Sequence, residues 1–317
     1  MHCSPQQIAA RLAALIVLAC LAMLSRAAAA ESGGRWIIKS PMPTPRTEVA
    51  AAALGDKIYV IGGFGKGGNL VEEYDVKSDR WRKRAPLPIQ LHHIGAAALG
   101  GKIYVIGGYS SGKSMDTVYD YDPSADRWRA MAPLPTARGA LAVGVLGDKI
   151  YATGGVGTNN RNTAANEEFD PAKNLWTKRA PLPTPRDHHA VGVIAGKFYA
   201  IGGRRDGRHA DNLDPNEEYD PATDKWQTRA PLPTLRSGAP GAVLGGRIFV
   251  IGGETPARTF NDNEAYDPAT NTWTKMAPMP TARHGLGAAV VGDMIYLLAG
   301  GPKPGATYSA ANEAFRP

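Results

Sequence analysis

Short hydrophobic runs of strand length alternate with polar turns along most of the chain. Between residues 181 and 233, small and β-branched residues at 189–194 are followed by a Gly-containing turn and an alternating run at 197–201. A loop then leads to a run at 217–219, an Asp-Pro turn and a last run that begins at 225. Runs of this length, bounded by glycine, proline and aspartate, predict β-strands. The segment therefore predicts four short antiparallel strands.

This four-strand unit recurs along the sequence. Its clearest markers are a Gly-Gly pair after the second strand and a tryptophan in the fourth, each repeated at intervals of 45–50 residues. The pairs are Gly62-Gly63, Gly107-Gly108, Gly154-Gly155, Gly202-Gly203, Gly252-Gly253 and Gly300-Gly301, and the tryptophans are Trp36, Trp81, Trp128, Trp176, Trp226 and Trp273. Self-similarity at this period indicates units that cannot bury their apolar faces alone and pack on their neighbours.

The third strand of each unit also carries an aromatic residue. These residues are Tyr74, Tyr121, Phe169, Tyr219, Tyr266 and Phe315. With the Gly-Gly pair and the tryptophan, they make a unit that resembles the kelch repeat, a blade of a β-propeller. The resemblance implies an all-β fold, a six-bladed β-propeller of kelch repeats, as a single domain over residues 31–317. Because the sixth unit ends after its third strand and Trp36 precedes the first unit, we expect the N-terminal strand to complete the last blade and close the ring.

Residues 1–30 predict a secretory signal peptide rather than part of the fold. A short polar start is followed by an apolar run from Leu12 to Leu24, and small residues then lead to Ala30. This order, with cleavage near Ala30, is typical of export signals. A lipoprotein signal ending at Cys20 is the alternative, whereas the run is too short to favour a membrane span. We expect a secreted or periplasmic protein with no membrane span in the mature chain.

Composition narrows the function classes. Both cysteines, Cys3 and Cys20, lie in the predicted signal, so we expect no disulfide and no thiol chemistry in the mature chain. The resemblance to kelch-type galactose oxidase therefore extends to the fold alone, because its copper site uses a Tyr–Cys crosslink. The net charge of +7 falls by two with the signal, and no basic run is interleaved with aromatic residues. We expect no nucleic-acid binding, no cofactor and a monomer.

Two charged positions recur in five of the six units. An arginine ends the proline-rich connector before the inner strand, and a glutamate lies two residues before the third-strand aromatic residue. The arginines are Arg46, Arg138, Arg186, Arg236 and Arg283, and the glutamates are Glu72, Glu167, Glu217, Glu264 and Glu313. A charge repeated in five of the six blades favours a structural role. The alternative is that the arginines lie near the central axis and attract an anion.

Function on a symmetric scaffold is expected where the repeats differ, in loops on one face. The resemblance implies that residues after the connector arginine and after the Gly-Gly pair line the central mouth. At these positions part of the ring carries glycine and alanine, and the rest carries polar and aromatic residues. The candidate ligand-binding residues are Glu48, Phe64, His92, His93, Tyr109, Asp187, His188, Arg204, Glu254 and His284. The alternative is that the histidines pack or form hydrogen bonds, and we expect no metal.

The predicted function is an exported binding module for a glycan, a peptide or a partner protein. No catalytic motif is recognisable, so catalytic residues are not assigned and an enzyme is the less favoured hypothesis. The alternative is an anionic-sugar enzyme, because exported six-bladed kelch-like propellers include N-acetylneuraminate (sialic acid) epimerases. That resemblance implies Glu48, His93 and His188 as acid–base groups, with Arg204 or Arg186 binding the carboxylate.

Overall fold

Antiparallel β-sheets build the whole described part of the molecule. The computed structural model describes residues 33–65 and 67–317, and the predicted signal peptide lies outside them. Six four-stranded sheets are arranged as the blades of a propeller, which confirms the predicted fold. None of the described residues forms a helix that could cross a membrane.

The strands follow the predicted order within each blade, from the inner strand at the axis to the outer strand. A lone strand, β1 (Arg35–Ile38), precedes the first blade. The first blade contains β2 (Ala50–Leu54), β3 (Lys57–Ile61), β4 (Val71–Asp75) and β5 (Arg80–Lys83), and the second contains β6 (Gly95–Leu99), β7 (Lys102–Ile106), the loop hairpin β8 (Tyr109–Ser110) and β9 (Lys113–Ser114), β10 (Val118–Asp122) and β11 (Arg127–Ala130). The third blade contains β12 (Arg138–Gly139), β13 (Ala142–Leu146), β14 (Lys149–Thr153), β15 (Val156–Gly157), β16 (Asn166–Asp170) and β17 (Leu175–Lys178), and the fourth contains β18 (Ala190–Ile194), β19 (Lys197–Ile201), β20 (Asn216–Asp220) and β21 (Lys225–Arg229). The fifth blade contains β22 (Gly241–Leu244), β23 (Arg247–Ile251), β24 (Asn263–Asp267) and β25 (Thr272–Lys275), and the sixth contains β26 (Gly287–Val291), β27 (Met294–Leu298) and β28 (Asn312–Arg316).

Each blade is held by the residues that mark the repeat. The third-strand aromatic residue lies beside the tryptophan of the fourth strand, with ring centroids 4.8–5.1 Å apart in all six blades. The inner strands carry small residues because neighbouring blades crowd together at the axis. A Cβ on Gly241, for example, would lie 2.0 Å from the carbonyl oxygen of Val191 in the preceding blade.

The N-terminal strand occupies the outer position of the last sheet. β1 pairs antiparallel with β28, so that Trp36 lies opposite Phe315. The sheet order is β1-β28-β27-β26, and the inner strand β26 packs beside β2 of the first blade. The last blade therefore contains strands from both ends of the described chain.

The repeated arginines are buried inside the blades and do not face the axis, so the alternative that they attract an anion is wrong. Each is 0–1% exposed and pairs with the glutamate of its own blade, as Arg46 does with Glu72 at 2.8 Å. A threonine two residues before each arginine donates to the other glutamate oxygen; Thr44 does so at 2.8 Å. In the second blade the three positions are Ile89, Leu91 and Tyr119, so no charge is left unpaired there.

The sixth blade requires one correction to the repeat markers. In the other blades both residues of the Gly-Gly pair have positive φ, and the following residue lies opposite the residue after the connector arginine. In the sixth blade these conformations belong to Ala299 and Gly300, and Gly301 lies opposite His284. The structural pair is therefore one residue earlier than Gly300-Gly301, and Gly301 takes the position directly after the pair.

Candidate functional site

A ring of backbone hydrogen bonds closes around the axis at the start of the inner strands. The second residue after each connector position has a positive φ of 52–66°. In the second to sixth blades it donates its N–H to the matching carbonyl of the preceding blade, over 2.9–3.1 Å. These residues are Glu48, His93, Ala140, His188, Gly238 and Gly285, and the ring closes from Val49 N to Gly285 O at 3.4 Å. Left-handed backbone costs a residue other than glycine about 1–2 kcal/mol, so the three polar members occupy strained positions.

The polar members of this ring converge on the axis. Glu48 Oε2 lies 3.2 Å from His93 Nε2 and 3.9 Å from His188 Nε2, although the three residues come from the first, second and fourth blades. The other carboxylate oxygen, Oε1, lies 3.4 Å from Nδ1 of His284. Gly285 makes room for this carboxylate, because a Cβ there would lie 2.5 Å from Glu48 Oε1.

A second group of charges lies beside the axis, on the fourth and fifth blades. Arg204 donates to Asp187 Oδ1 at 3.2 Å and to Glu254 Oε1 at 3.0 Å, and its Nη2 lies 3.0 Å from His188 Nε2. His188 binds Asp187 through its other nitrogen, Nδ1. Glu254 Oε2 also lies 3.4 Å from His284 Nδ1, which joins this group to Glu48. Because the Arg204 side chain is only 5% exposed, its charge pairs with these carboxylates and is not presented to solvent.

Aromatic rings form the remaining wall, on the first two blades. Phe64 stacks on His92 with ring centroids 3.8 Å apart, and His92 Nδ1 lies 2.6 Å from His93 Nδ1. Tyr109 lies over Gly139, where a Cβ would be 2.4 Å from its ring. Phe64 is 38% exposed and is the part of this wall most open to solvent.

Burial and the neighbouring charged groups together set the protonation states of the cluster. Burial alone would raise the pKa of the Glu48 carboxyl, but the imidazoles around it lower that pKa well below its usual value. Burial lowers the pKa of His92 to about 4 and that of His93 to about 3. Burial also acts against protonation of His284, but hydrogen bonding and charge from Glu48 outweigh it and raise the pKa of His284. The cluster is thus built around a carboxylate, a neutral His93 and a His284 that readily holds a proton.

The structure brings all ten sequence-predicted site residues into one connected group. Beneath the ring lies an axial cavity of about 200 Å³, lined by Glu48, His93, His188 and the small residues of the inner strands. Sequence reasoning missed Asn162, which donates to Asp187 Oδ2 at 2.7 Å, and His209, whose Nδ1 lies 3.1 Å from Glu254 Oε1. Both residues lie in the loops after the Gly-Gly pair, whose length differs from blade to blade. The other repeats therefore have no equivalent residue with which either could be compared.

Similarity to known proteins agrees with this architecture. No curated protein sequence matches the chain significantly. The solved structure of YjhT superposes with a TM-score of 0.77 at 18% sequence identity, over 87% of this chain and 96% of that one, and this likeness shows the fold alone. The profile described as the KLHDC2/KLHL20/DRC7 Kelch-repeats domain matches residues 32–181 and 133–301. Because these matches span most of the sequence and the repeats form the blades described above, the chain belongs to the kelch-repeat family.

Proposed function

We propose that the protein is an exported binding module whose mouth recognises an acidic partner, either a protein segment or a glycan. The export half of the proposal rests on the apolar run and the small residues before Ala30. The recognition half rests on one observation: the charged groups at the axis pair with one another, while the loops around the mouth expose cations. A partner would therefore contact the rim of the mouth.

The exposed cations lie on loops from the fourth, fifth and sixth blades. Arg205, Arg258 and Lys303 are exposed and form no ion pair within residues 33–65 and 67–317. Arg258 is held over the ring of Phe260, with its guanidinium carbon 4.4 Å from the ring centroid. Arginines held in place lose less conformational entropy when they pair with carboxylates or sulfates. This supports an acidic ligand.

An aromatic cleft lies on the same face, between the first and second blades. Its volume is about 310 Å³, within the range of small-ligand sites, and it is lined by Phe64, His92 and the tip of the β8–β9 hairpin. The exposed face of Phe64 offers a flat apolar surface, and Gly65 and Ser111 also line the cleft. Such a surface suits a sugar ring or a peptide side chain next to the acidic group.

The test compares binding by two charge-neutralised variants. Acidic and neutral oligosaccharides and acidic peptides are titrated against the wild type and against Arg205→Gln/Arg258→Gln/Lys303→Gln. The matched control is Lys77→Gln/Lys173→Gln/Arg247→Gln, which removes the same charge from exposed residues in or next to the strand-connecting turns. We expect the rim variant to lose about tenfold or more in affinity, with a weaker salt dependence, and the control to lose little. Equal binding by both variants, or a preference for neutral ligands, would refute the proposal.

The second candidate function is mutarotation of an anionic sugar. It is supported by Glu48, His93 and His188 meeting beside the axial cavity, where an acid–base pair would act. The suggested carboxylate-binding residues fit less well, because Arg186 is buried against Glu217 and Arg204 against Asp187 and Glu254. Adding the protein to freshly dissolved sialic acid tests this directly. An acceleration that Glu48→Gln abolishes would support it, and an unchanged rate would dismiss it.

A further inference from the structure

Three ligand-type side chains meet at the axis beneath the mouth. We infer that Glu48, His93 and His188 bind a divalent first-row transition metal such as Zn²⁺. This inference goes beyond the proposed binding function, and it differs from the expectation that the site holds no metal. The carboxylate oxygen and the two imidazole nitrogens lie within 4.8 Å of one another. Two histidines and one carboxylate are a ligand set that Zn²⁺ and Fe²⁺ use in proteins.

The distances are close to those that a bound ion requires. Glu48 Oε2 lies 3.2 Å from His93 Nε2 and 3.9 Å from His188 Nε2. Bonds of about 2.0–2.1 Å in a tetrahedral site place ligand atoms roughly 3.3 Å apart. The ring of backbone hydrogen bonds holds all three Cα positions, so the ligand atoms, which lie within 4.8 Å of one another, would reach these distances through side-chain shifts alone.

Each proposed ligand is oriented by a neighbour on its other atom. His93 Nδ1 lies 2.6 Å from His92 Nδ1, and His188 Nδ1 is bound to Asp187. These contacts use the Nδ1 atoms and leave the two Nε2 atoms, 3.2 Å and 3.9 Å from Glu48 Oε2, as the candidate ligand atoms. Glu48 Oε1 is in turn 3.4 Å from His284. Metal-binding histidines and carboxylates are typically held by such partners, which fix the tautomer and the orientation of the ring.

One cation competes for the same place. Arg204 Nη2 lies 3.0 Å from His188 Nε2, so this contact must be given up when the metal binds. Arg204 keeps two carboxylate partners, Asp187 and Glu254, which already balance its charge. With Glu48, three carboxylates lie at the axis, and the guanidinium of Arg204 is the permanent cation that contacts two of them. The cluster therefore tolerates an added positive charge.

The remaining coordination positions are open. The other three blades place Ala140, Gly238 and Gly285 at the equivalent ring positions, so no long side chain enters from them. The cavity of about 200 Å³ next to the ligands has room for water or a small ligand. A site with three protein ligands and an open side is the arrangement of catalytic rather than structural zinc.

The test uses the protein purified without a polyhistidine tag and stripped with a chelator. Zn²⁺ is titrated calorimetrically, and Co²⁺ is titrated in parallel, because its visible spectrum reports the coordination geometry. His93→Asn, His188→Asn and Glu48→Gln remove the ligands; asparagine is chosen because it tolerates the positive φ of 54° and 52° at the two histidines. The matched control is His209→Asn, which removes a more exposed histidine of the same mouth.

We expect one saturable Zn²⁺ site, at least about 100-fold weaker in each ligand variant and unchanged in His209→Asn. Mg²⁺ should not compete, because imidazole suits softer ions. A wild type that shows no saturable Zn²⁺ binding and no Co²⁺ spectrum overturns the inference without any variant having to fold. Binding that survives all three ligand substitutions, or that is lost in His209→Asn, assigns the ion to the surface and overturns it equally.

Discussion

Removing one partner of the buried ion pair in the fifth blade should lower the unfolding free energy more than replacing both partners. Arg236 is fully buried with Glu264 and donates to the carbonyl oxygens of Val250 and Gly252 at 2.8 Å and of Thr234 at 2.9 Å. Arg236→Leu leaves the carboxylate uncompensated, and we expect a loss of about 3–5 kcal/mol in unfolding free energy.

The second blade supplies the natural replacement for this group. It carries Ile89, Leu91 and Tyr119 where the fifth carries Thr234, Arg236 and Glu264, and all three pack in or against an apolar cluster. The triple variant Thr234→Ile/Arg236→Leu/Glu264→Tyr removes both charges and loses only the hydrogen bonds to carbonyls, worth about 1 kcal/mol each. With three such bonds lost, it should be destabilised by about 3 kcal/mol and so be up to about 2 kcal/mol more stable than Arg236→Leu alone.

Urea unfolding followed by tryptophan fluorescence measures both variants, because a tryptophan lies in every blade. Arg247→Leu is the control, since Arg247 is exposed at the start of its strand, and it should stay within about 0.5 kcal/mol of the wild type. If the triple variant is no more stable than Arg236→Leu, the unpaired charge is not what makes the single change costly, and the reasoning fails.

Three further changes probe the ring and the axis. Removing residues 31–40, which carry β1, should abolish cooperative unfolding at the wild-type temperature, whereas an unchanged melting curve would show that closure by this strand is dispensable. Gly285→Ala should cost about 1–3 kcal/mol more than Gly292→Ala in urea unfolding, because both have positive φ but only the first places a Cβ against Glu48. Burial lowers the pKa of His189 from 6.5 to about 3, so the unfolded state binds the proton more tightly and stability should fall as the pH drops from 6.5 towards 3. With chelator present, His189→Asn should make that decline in stability shallower. An equal slope in both proteins would contradict a contribution of His189 to the decline.

Most of the fold could be predicted from the sequence because each blade is a local unit. The strands, their order and the Tyr/Phe–Trp pairs depend on residues that lie close together in the chain, so they recur visibly. One error arose where spacing alone was used. In the sixth blade the Gly-Gly pair, Gly300-Gly301, begins one residue later than the pair with positive φ, which is Ala299 and Gly300. The direction of the connector arginines is not visible in the repeat, although the joint replacement at Leu91 and Tyr119 in the second blade was a signal of pairing.

The chemistry of the mouth could not be predicted in the same way, because it depends on contacts between blades. The sequence supplies His93, His188 and His284 as equivalent imidazoles near Glu48, and nothing in their spacing ranks them. In the folded ring, burial lowers the pKa of His93 to about 3, whereas Glu48 raises that of His284. One imidazole therefore stays neutral, with a nitrogen lone pair available to a hydrogen-bond donor or a metal, and another tends to hold a proton between two carboxylates. This division of roles exists only once the first and last blades are neighbours, so residues far apart in sequence set each other's protonation.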